Sequence, residues 1–259
     1  MHWVIQDNMY NEEGFHKLIS ALERLNLPHT VHKVVPFIRR LVPDVDPSGA
    51  VVVMGSYTMS HIAADKCWRP GSFMSGLLDY KIQLRHWGDH MLNSDAEFSR
   101  FDSVAAQLTP FFIRPVQDNK FFCGMVTDFP AYIEWRDNVL DLWEGPVTDA
   151  LCVSTPVMVC KPKKIYRETR VWIVEGKAVT ASNYKVGTRV TTAGPVDPYV
   201  LHFAEKRAQE WSPVGAYCMD IADTPEGIKI IECGNLSACG FYDADMTKLV
   251  MALEKSFGA

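Results

Sequence analysis

Apolar positions along this chain fall into runs of different period, and the period changes as the chain proceeds. Residues 3–6 read as a short buried strand. From residue 11 to about residue 26 the apolar side chains recur at helical spacing, with Phe15, Leu18, Ile19, Leu22 and Leu25 on one face, which predicts a helix packed by one side on a sheet. Pro28 ends it. The run "AVVVMGS" over residues 50–56 is continuously apolar, as suits a parallel strand covered on both faces, and a helix is expected over residues 59–67. Strand, helix and strand in this order predict an α/β lobe. The turn at Gly55 and Ser56 reads either as plain turn geometry or as a backbone approach to a phosphate. "RPGSFMSG", residues 69–76, is a loop.

From Pro110 onward the period shortens to that of strands. "PFFIRPVQDNKFFCG" predicts a strand carrying Arg114, a turn at Asp118 and Asn119, and a second short strand beginning at Lys120. "VSTPVMVCKP" and "ETRVWIVEGKAVTASNY" continue the pattern, with a tight hairpin at Glu175, Gly176 and Lys177. Helices are expected over residues 198–211 and along the stripe Met246, Leu249, Val250, Leu253 and Phe257.

Composition narrows the class. The 259 residues are 47% hydrophobic and 22% charged, ordinary for a globular chain with a sizeable core. A net charge of -5 with dispersed basic residues argues against a nucleic-acid partner. No apolar run approaches the ~20 residues that span a bilayer, no leader pattern opens the chain, and the seven cysteines contain no CxxC pair. Reduced thiols and a cytoplasmic protein are therefore expected, with no membrane partner. His86 and His90 have the i, i+4 spacing of a helical metal pair, but Gly88 interrupts them, and they read as polar loop or core histidines. Lys161, Lys163, Lys164, Arg167 and Arg170 crowd ten residues, either as a solvated edge strand or as a surface facing phosphate.

Chemistry concentrates in the last hairpin, "GAYCMDIADTPEGIKIIECGNLS". Asp220 on its first strand and Glu232 on its second can lie side by side if the register permits. Two adjacent carboxylates repel unless a hard cation lies between them. Magnesium suits such an oxygen-only site, and Asn235 offers a neutral oxygen ligand.

In order and spacing, "FIRP", "ETRVWIVEGK", "YCMDI" and "IIECGN" resemble the ATP-grasp fold of ATP-dependent carboxylate ligases over roughly residues 110–253. With "WGDHMLNSD", the chain is most similar to the small phage and bacterial ATP-grasp clade that has paired arginines and a lysine. The resemblance implies a mixed α/β and α+β fold: an N-terminal α/β lobe over residues 1–109, then an ATP-grasp region over residues 110–259 formed of two α+β subdomains around a nucleotide cleft. It implies that Arg114 and Lys120 contact nucleotide phosphates, that the backbone from Val159 to Lys161 meets adenine, and that Glu168 holds the ribose. It places Arg170 and Lys185 at the reacting phosphate or substrate, and Asp220, Glu232 and Asn235 on the metal. Two departures stand out. Cys233 and Gly234 separate Glu232 from Asn235 where the family has one residue, and "QDNKFFCG" supplies Gly124 alone in place of a glycine-rich loop.

The implied function is an ATP- and magnesium-dependent carboxylate-amine ligase acting through an acylphosphate on small-molecule or peptide substrates. A phosphotransferase and a non-catalytic nucleotide-binding module remain as alternatives. A phage-encoded member would work in the host cytoplasm. Substrate identity and oligomeric state stay open.

Overall fold

A computed structural model describes residues 1–7, 13–35, 38–117, 121–141 and 150–258. In chain order its main elements begin with β1 (His2–Gln6), α1 (Glu13–Arg24), β2 (His29–Val35), β3 (Arg40–Val42), β4 (Val51–Met54), α2 (Tyr57–Asp65) and β5 (Pro70–Gly71). Then come α3 (Tyr80–Trp87), β6 (Glu97–Arg100), β7 (Phe111–Pro115), β8 (Met125–Thr127), α4 (Phe129–Asp141) and β9 (Pro156–Cys160). The last part holds β10 (Arg167–Val174), β11 (Lys177–Val186), β12 (Arg189–Val190), α5 (Pro198–Glu210), β13 (Ala216–Thr224), β14 (Gly227–Asn235) and α6 (Met246–Phe257). These gather into two compact units, one joining Met1–Leu77 to Ile165–Ala259 and the other formed by Leu78–Lys164.

The first unit contains two sheets. One has the order β3-β2-β1-β4-β5, parallel except where β2 meets β3. All four residues of β4 are buried, which explains its unbroken apolar run. Alternation along β1 sends Trp3 and Ile5 to one face, among Leu18 and Leu22 of α1 and Leu249 and Leu253 of α6. Val4 faces the other way, with Met59 and Ile62 of α2. Trp172 and Cys218 from the second sheet join the Trp3 side, so the two ends of the chain share one core.

That second sheet is antiparallel throughout, in the order β12-β11-β10-β13-β14. Its far face is covered by α5 through the buried Val200, Ala204 and Ala208. Asp197 caps α5 by accepting the Tyr199 N–H, and Pro198 follows at the first turn, where its missing N–H costs nothing.

Gly55 is explained by close packing. A β-carbon there would lie 2.6 Å from Gln6 Cβ, while Ser56 donates both its backbone N–H (2.9 Å) and its hydroxyl (2.8 Å) to Gln6 Oε1. The turn is thereby tied to β1.

In the second unit an antiparallel sheet runs β6-β9-β7-β8 over a core of Phe101, Phe111, Ile113, Tyr132 and Val157. Trp135 closes edge-on against Phe101 at 4.6 Å between centroids. The strand after β7 begins at Met125, and the predicted turn at Asp118 and Asn119, together with Lys120, lies outside the described residues. Helix α3 stops at Gly88 with φ +48, so the two histidines fall on different elements: His86 in the helix and His90 in a following 3-10 turn, both exposed. No helix among the described residues is long and apolar enough to cross a membrane.

Candidate active site

Three neighbouring strands bring three charged side chains into line. Arg170 on β10 stands opposite Asp220 on β13, and Asp220 stands opposite Glu232 on β14. Arg170 closes on Asp220 as a bidentate pair, Nε to Oδ1 and Nη2 to Oδ2, each at 2.8 Å. Only 14% of the Arg170 side chain and 8% of the Asp220 side chain are exposed, so the pair is held largely out of water. Burial works against the guanidinium charge, but the adjacent Asp220 outweighs it and holds Arg170 firmly protonated.

Glu232 owes its place to a β-bulge. In a regular strand Ile230 and Glu232, two residues apart, share a face. Here the register shifts beside Asp220: Ile230 pairs with Ile221 and Glu232 with Asp220, leaving Ile231 as the extra residue. Ile230 therefore stays in the core, fully buried, while Glu232 turns to the side of Asp220 and Arg170. A second irregularity lies between β10 and β11. Glu168 pairs with Lys185 and Thr169 with Asn183, so that Tyr184 is the extra residue.

Glu168, two positions before Arg170, shares its face. It forms a salt bridge with Lys185 at 2.8 Å, the acid 13% exposed and the lysine 39%. Tyr184 lies beside Glu168 and the Arg170 guanidinium. Burial first, and then the negative charges of Asp220 and Glu168, push its phenol well above the usual range, so it stays a neutral hydroxyl beside Glu168.

Asn235 sits differently. It lies three residues beyond Glu232 with no further register shift, which puts its side chain on the opposite face. Its Oδ1 accepts the Ser237 N–H at 3.0 Å, capping the 3-10 turn Leu236–Ala238, and its Nδ2 donates to Ser60 Oγ at 3.2 Å.

In the other unit, Arg114 on β7 donates from Nε to Pro115 O at 3.2 Å, and its guanidinium lies over the Tyr80 ring at 5.5 Å. Val159, buried, pairs on one side with Glu97 and on the other with Ile113. Lys161 follows the end of β9 and is exposed. The structure thus brings Glu168, Arg170, Lys185, Asp220 and Glu232 together within the first unit, and carries Arg114, Val159 and Lys161 in the second.

Two residues absent from the sequence reading stand at the same place. The Tyr184 and Tyr242 rings stack at 5.2 Å and 13°, and the Arg170 guanidinium lies over them at 5.7 and 5.2 Å. The adjacency of Tyr184 to Lys185, and the position of Tyr242 two residues after Gly240 in "GFYDAD", was the available signal.

Among the described residues, no group of three or more His, Cys, Asp or Glu side chains converges to hold a metal. The donor set still fits magnesium. Asp220 and Glu232 supply two opposed carboxylates, and each Asp220 oxygen retains a lone-pair direction after accepting from Arg170. Magnesium is commonly held by one or two carboxylates, with water and phosphate oxygens completing its shell.

A family model for the ATP-grasp domain, the third family of the clade named for two arginines and a lysine, matches residues 31–253. No curated protein sequence matches the chain. Solved structures with the same fold include the ATP-grasp ligase PsnB complexed with a minimal precursor, at a TM-score of 0.59 and 11% identity over 98% of each chain. A D-alanine--D-alanine ligase from Bacillus anthracis superimposes with a TM-score of 0.65 and 11% identity, covering 98% of this chain and 96% of the other. A RimK-domain ATP-grasp protein from Sphaerobacter thermophilus gives 0.61 and 14%, over 96% and 98%. The strand order, the paired acids of the last hairpin and the match over most of the length lead to one conclusion: the chain belongs to that third family of the two-arginine, one-lysine clade of ATP-grasp domains.

Proposed function

We propose that this protein is an ATP- and magnesium-dependent carboxylate-amine ligase that works through an acylphosphate. The observation that carries the reading is the line of Arg170, Asp220 and Glu232 on adjacent strands, a largely buried cation beside two opposed acids. Asp220 and Glu232 would hold magnesium, which neutralises charge on phosphate oxygens and orients the γ-phosphate. Arg170 directs its remaining N–H groups at oxygens whose charge grows during transfer. Asn235 enters this reading as the anchor of the strand tip, since its side chain lies on the face opposite Asp220 and Glu232 and accepts the Ser237 N–H.

In the proposed reaction a substrate carboxylate oxygen bonds to the γ-phosphorus and the bond to the β-bridging oxygen breaks, releasing ADP. An amine then attacks the acyl carbon, phosphate leaves with the electron pair of the C–O bond, and the nitrogen gives up its proton to the departing phosphate. A carboxylate is already nucleophilic at neutral pH and needs no general base for the first step. The remaining roles are carried from the sequence: Arg114 and Lys120 for nucleotide phosphates, Val159 and Lys161 for adenine, Glu168 for ribose, and Lys185 for phosphate or substrate. The division into a 1–109 lobe and a 110–259 ATP-grasp region belongs to the same proposal. The substrates are amino acids or peptides, in keeping with structural neighbours that include a D-alanine--D-alanine ligase and a ligase complexed with a precursor peptide. Because all seven cysteines are free, we place the protein in the reducing cytoplasm.

The test is ADP release with magnesium, ATP and a panel of amino acids and short peptides, with hydroxylamine present as a trap. Carboxylate-dependent ADP and a hydroxamate support the ligase. A stable phosphorylated product indicates a phosphotransferase, and nucleotide binding without turnover across the panel indicates a binding module; either result overturns the proposal.

A further inference from the structure

Arg170 is held by more than its partner acid. A guanidinium carries five N–H donors, of which Asp220 takes two and Gly240 O a third, through Nη1 at 3.3 Å. Two donors remain without a partner among the described residues, on a side chain that is only 14% exposed. The orientation of those two donors depends on what fixes the plane of the group. Asp220 sets one edge of that plane, while the guanidinium carbon lies over the Tyr184 and Tyr242 rings at 5.7 and 5.2 Å.

The two tyrosines are themselves strongly placed. Tyr184 is the extra residue of the bulge between β10 and β11. Tyr242 has φ +49, a left-handed backbone that a bulky aromatic residue rarely adopts and that normally favours Gly, Asn or Asp. Around it the chain is laced back to β11: the Asp243 N–H bonds to Ser182 Oγ at 3.1 Å and the Asp245 N–H to Thr180 Oγ1 at 2.9 Å. Thr180, Ser182 and Tyr184 are successive anchors of the 240–245 segment along one strand. An unfavourable backbone retained at a well-anchored position, with its ring against a functional cation, points to a role for the ring.

We propose that Tyr184 and Tyr242 are positioning residues that fix the Arg170 guanidinium so that its two remaining N–H donors face the transferring phosphoryl group. The statement that those donors act on a phosphoryl group rests on the ligase reading above; the statement that the rings fix the guanidinium does not. Attraction between a desolvated cation and aromatic faces supplies the force, and the hydroxyls are secondary.

The experiment pairs a magnetic-resonance readout with kinetics. In the 1H–15N spectrum of the full chain, the Arg170 Nε–H signal, identified by its loss in Arg170→Lys, is expected to be slowly exchanging and displaced by ring currents. Tyr242→Phe and Tyr184→Phe keep this signal. Tyr242→Asn removes the ring while suiting the left-handed backbone, so it tests the ring without adding backbone strain, and Tyr184→Leu serves as the second deletion. Both deletions should collapse the signal toward that of a solvent-exposed arginine. With a substrate in hand they should lower kcat by about 10- to 100-fold while Mg-ATP affinity changes by less than about 3-fold. If wild-type protein turns over no substrate, the ligase reading fails and the resonance alone judges the positioning. A wild-type Arg170 signal in folded Tyr242→Asn and Tyr184→Leu overturns the proposal, and so does its loss in both phenylalanine variants.

Discussion

Asp220 and Glu232 face each other directly across the last hairpin, yet Arg170 engages Asp220 with both hydrogen bonds of a bidentate pair. The two acids should therefore respond differently to neutralisation. Asp220→Asn leaves a largely buried guanidinium short of its counter-charge and should cost about 3 kcal/mol of stability. Glu232→Gln removes one of two neighbouring negative charges and should leave stability within about 1 kcal/mol. Urea unfolding of both variants measures this, and equal losses would show that the two carboxylates carry the same structural load.

Substitution of Arg170 separates binding from catalysis. Arg170→Lys keeps a positive charge but loses the fork, so its pairing with Asp220 weakens and its aimed donors are gone. Turnover should fall by about 100-fold with Mg-ATP affinity changed by less than about 3-fold. Parallel losses in both quantities would assign Arg170 to ground-state nucleotide binding.

Thiol reactivity follows environment. Burial pushes the Cys160 thiol up to about 12, and burial also raises Cys233. In Cys152, hydrogen bonds from Ser154 and then Thr155 hold the thiol below its ordinary value. Native alkylation near pH 8 should label Cys152 and the exposed Cys67 and Cys123, and reach Cys160 and Cys233 only after unfolding. Mass mapping of the labelled peptides checks the order, and early labelling of Cys160 would contradict it.

His2 makes stability depend on pH. Burial, followed by the nearby His32 and His29, lowers its pKa, and the ring contacts Thr30 Oγ1 at 2.9 Å. Between the folded and unfolded values the unfolded chain binds more protons, so stability rises with pH across that window. The contribution is full above the ordinary histidine pKa and is lost as pH falls through the lowered one. Replacing His2 with Gln should flatten the stability profile on the acid side of neutrality, as read by melting temperature in a pH series. An unchanged slope would remove His2 as the cause.

Much of this fold is visible in the sequence because it is set by local period. The helical stripe through Phe15, Leu18 and Leu22 and the apolar run of β4 announce their elements, and the hairpin turns at Gly176 and Gly227 announce theirs. The spacing of Glu168 and Arg170 is likewise enough to place them on one face. The facing of Asp220 and Glu232 is only half legible, since it depends on the bulge at Ile231, and a one-residue register shift leaves no mark in composition. Tyr184 and Tyr242 are far apart in the chain and meet only because residues 240–245 run back along β11. The common core of Trp3 and Trp172 is hidden for the same reason, because periodicity shows that a face is buried without naming what covers it.

The most direct test of the account is calorimetric titration of the protein with a non-hydrolysable ATP analogue, with magnesium and with a chelator, repeated on Glu232→Gln. The account predicts single-site binding that requires magnesium and weakens at least about 10-fold in Glu232→Gln, a difference of about 1.4 kcal/mol, while the melting temperature of the free variant stays near that of the wild type. Binding of equal strength in chelator, or unchanged affinity in Glu232→Gln, would contradict the claim that the paired acids of the last hairpin hold the metal that holds the nucleotide.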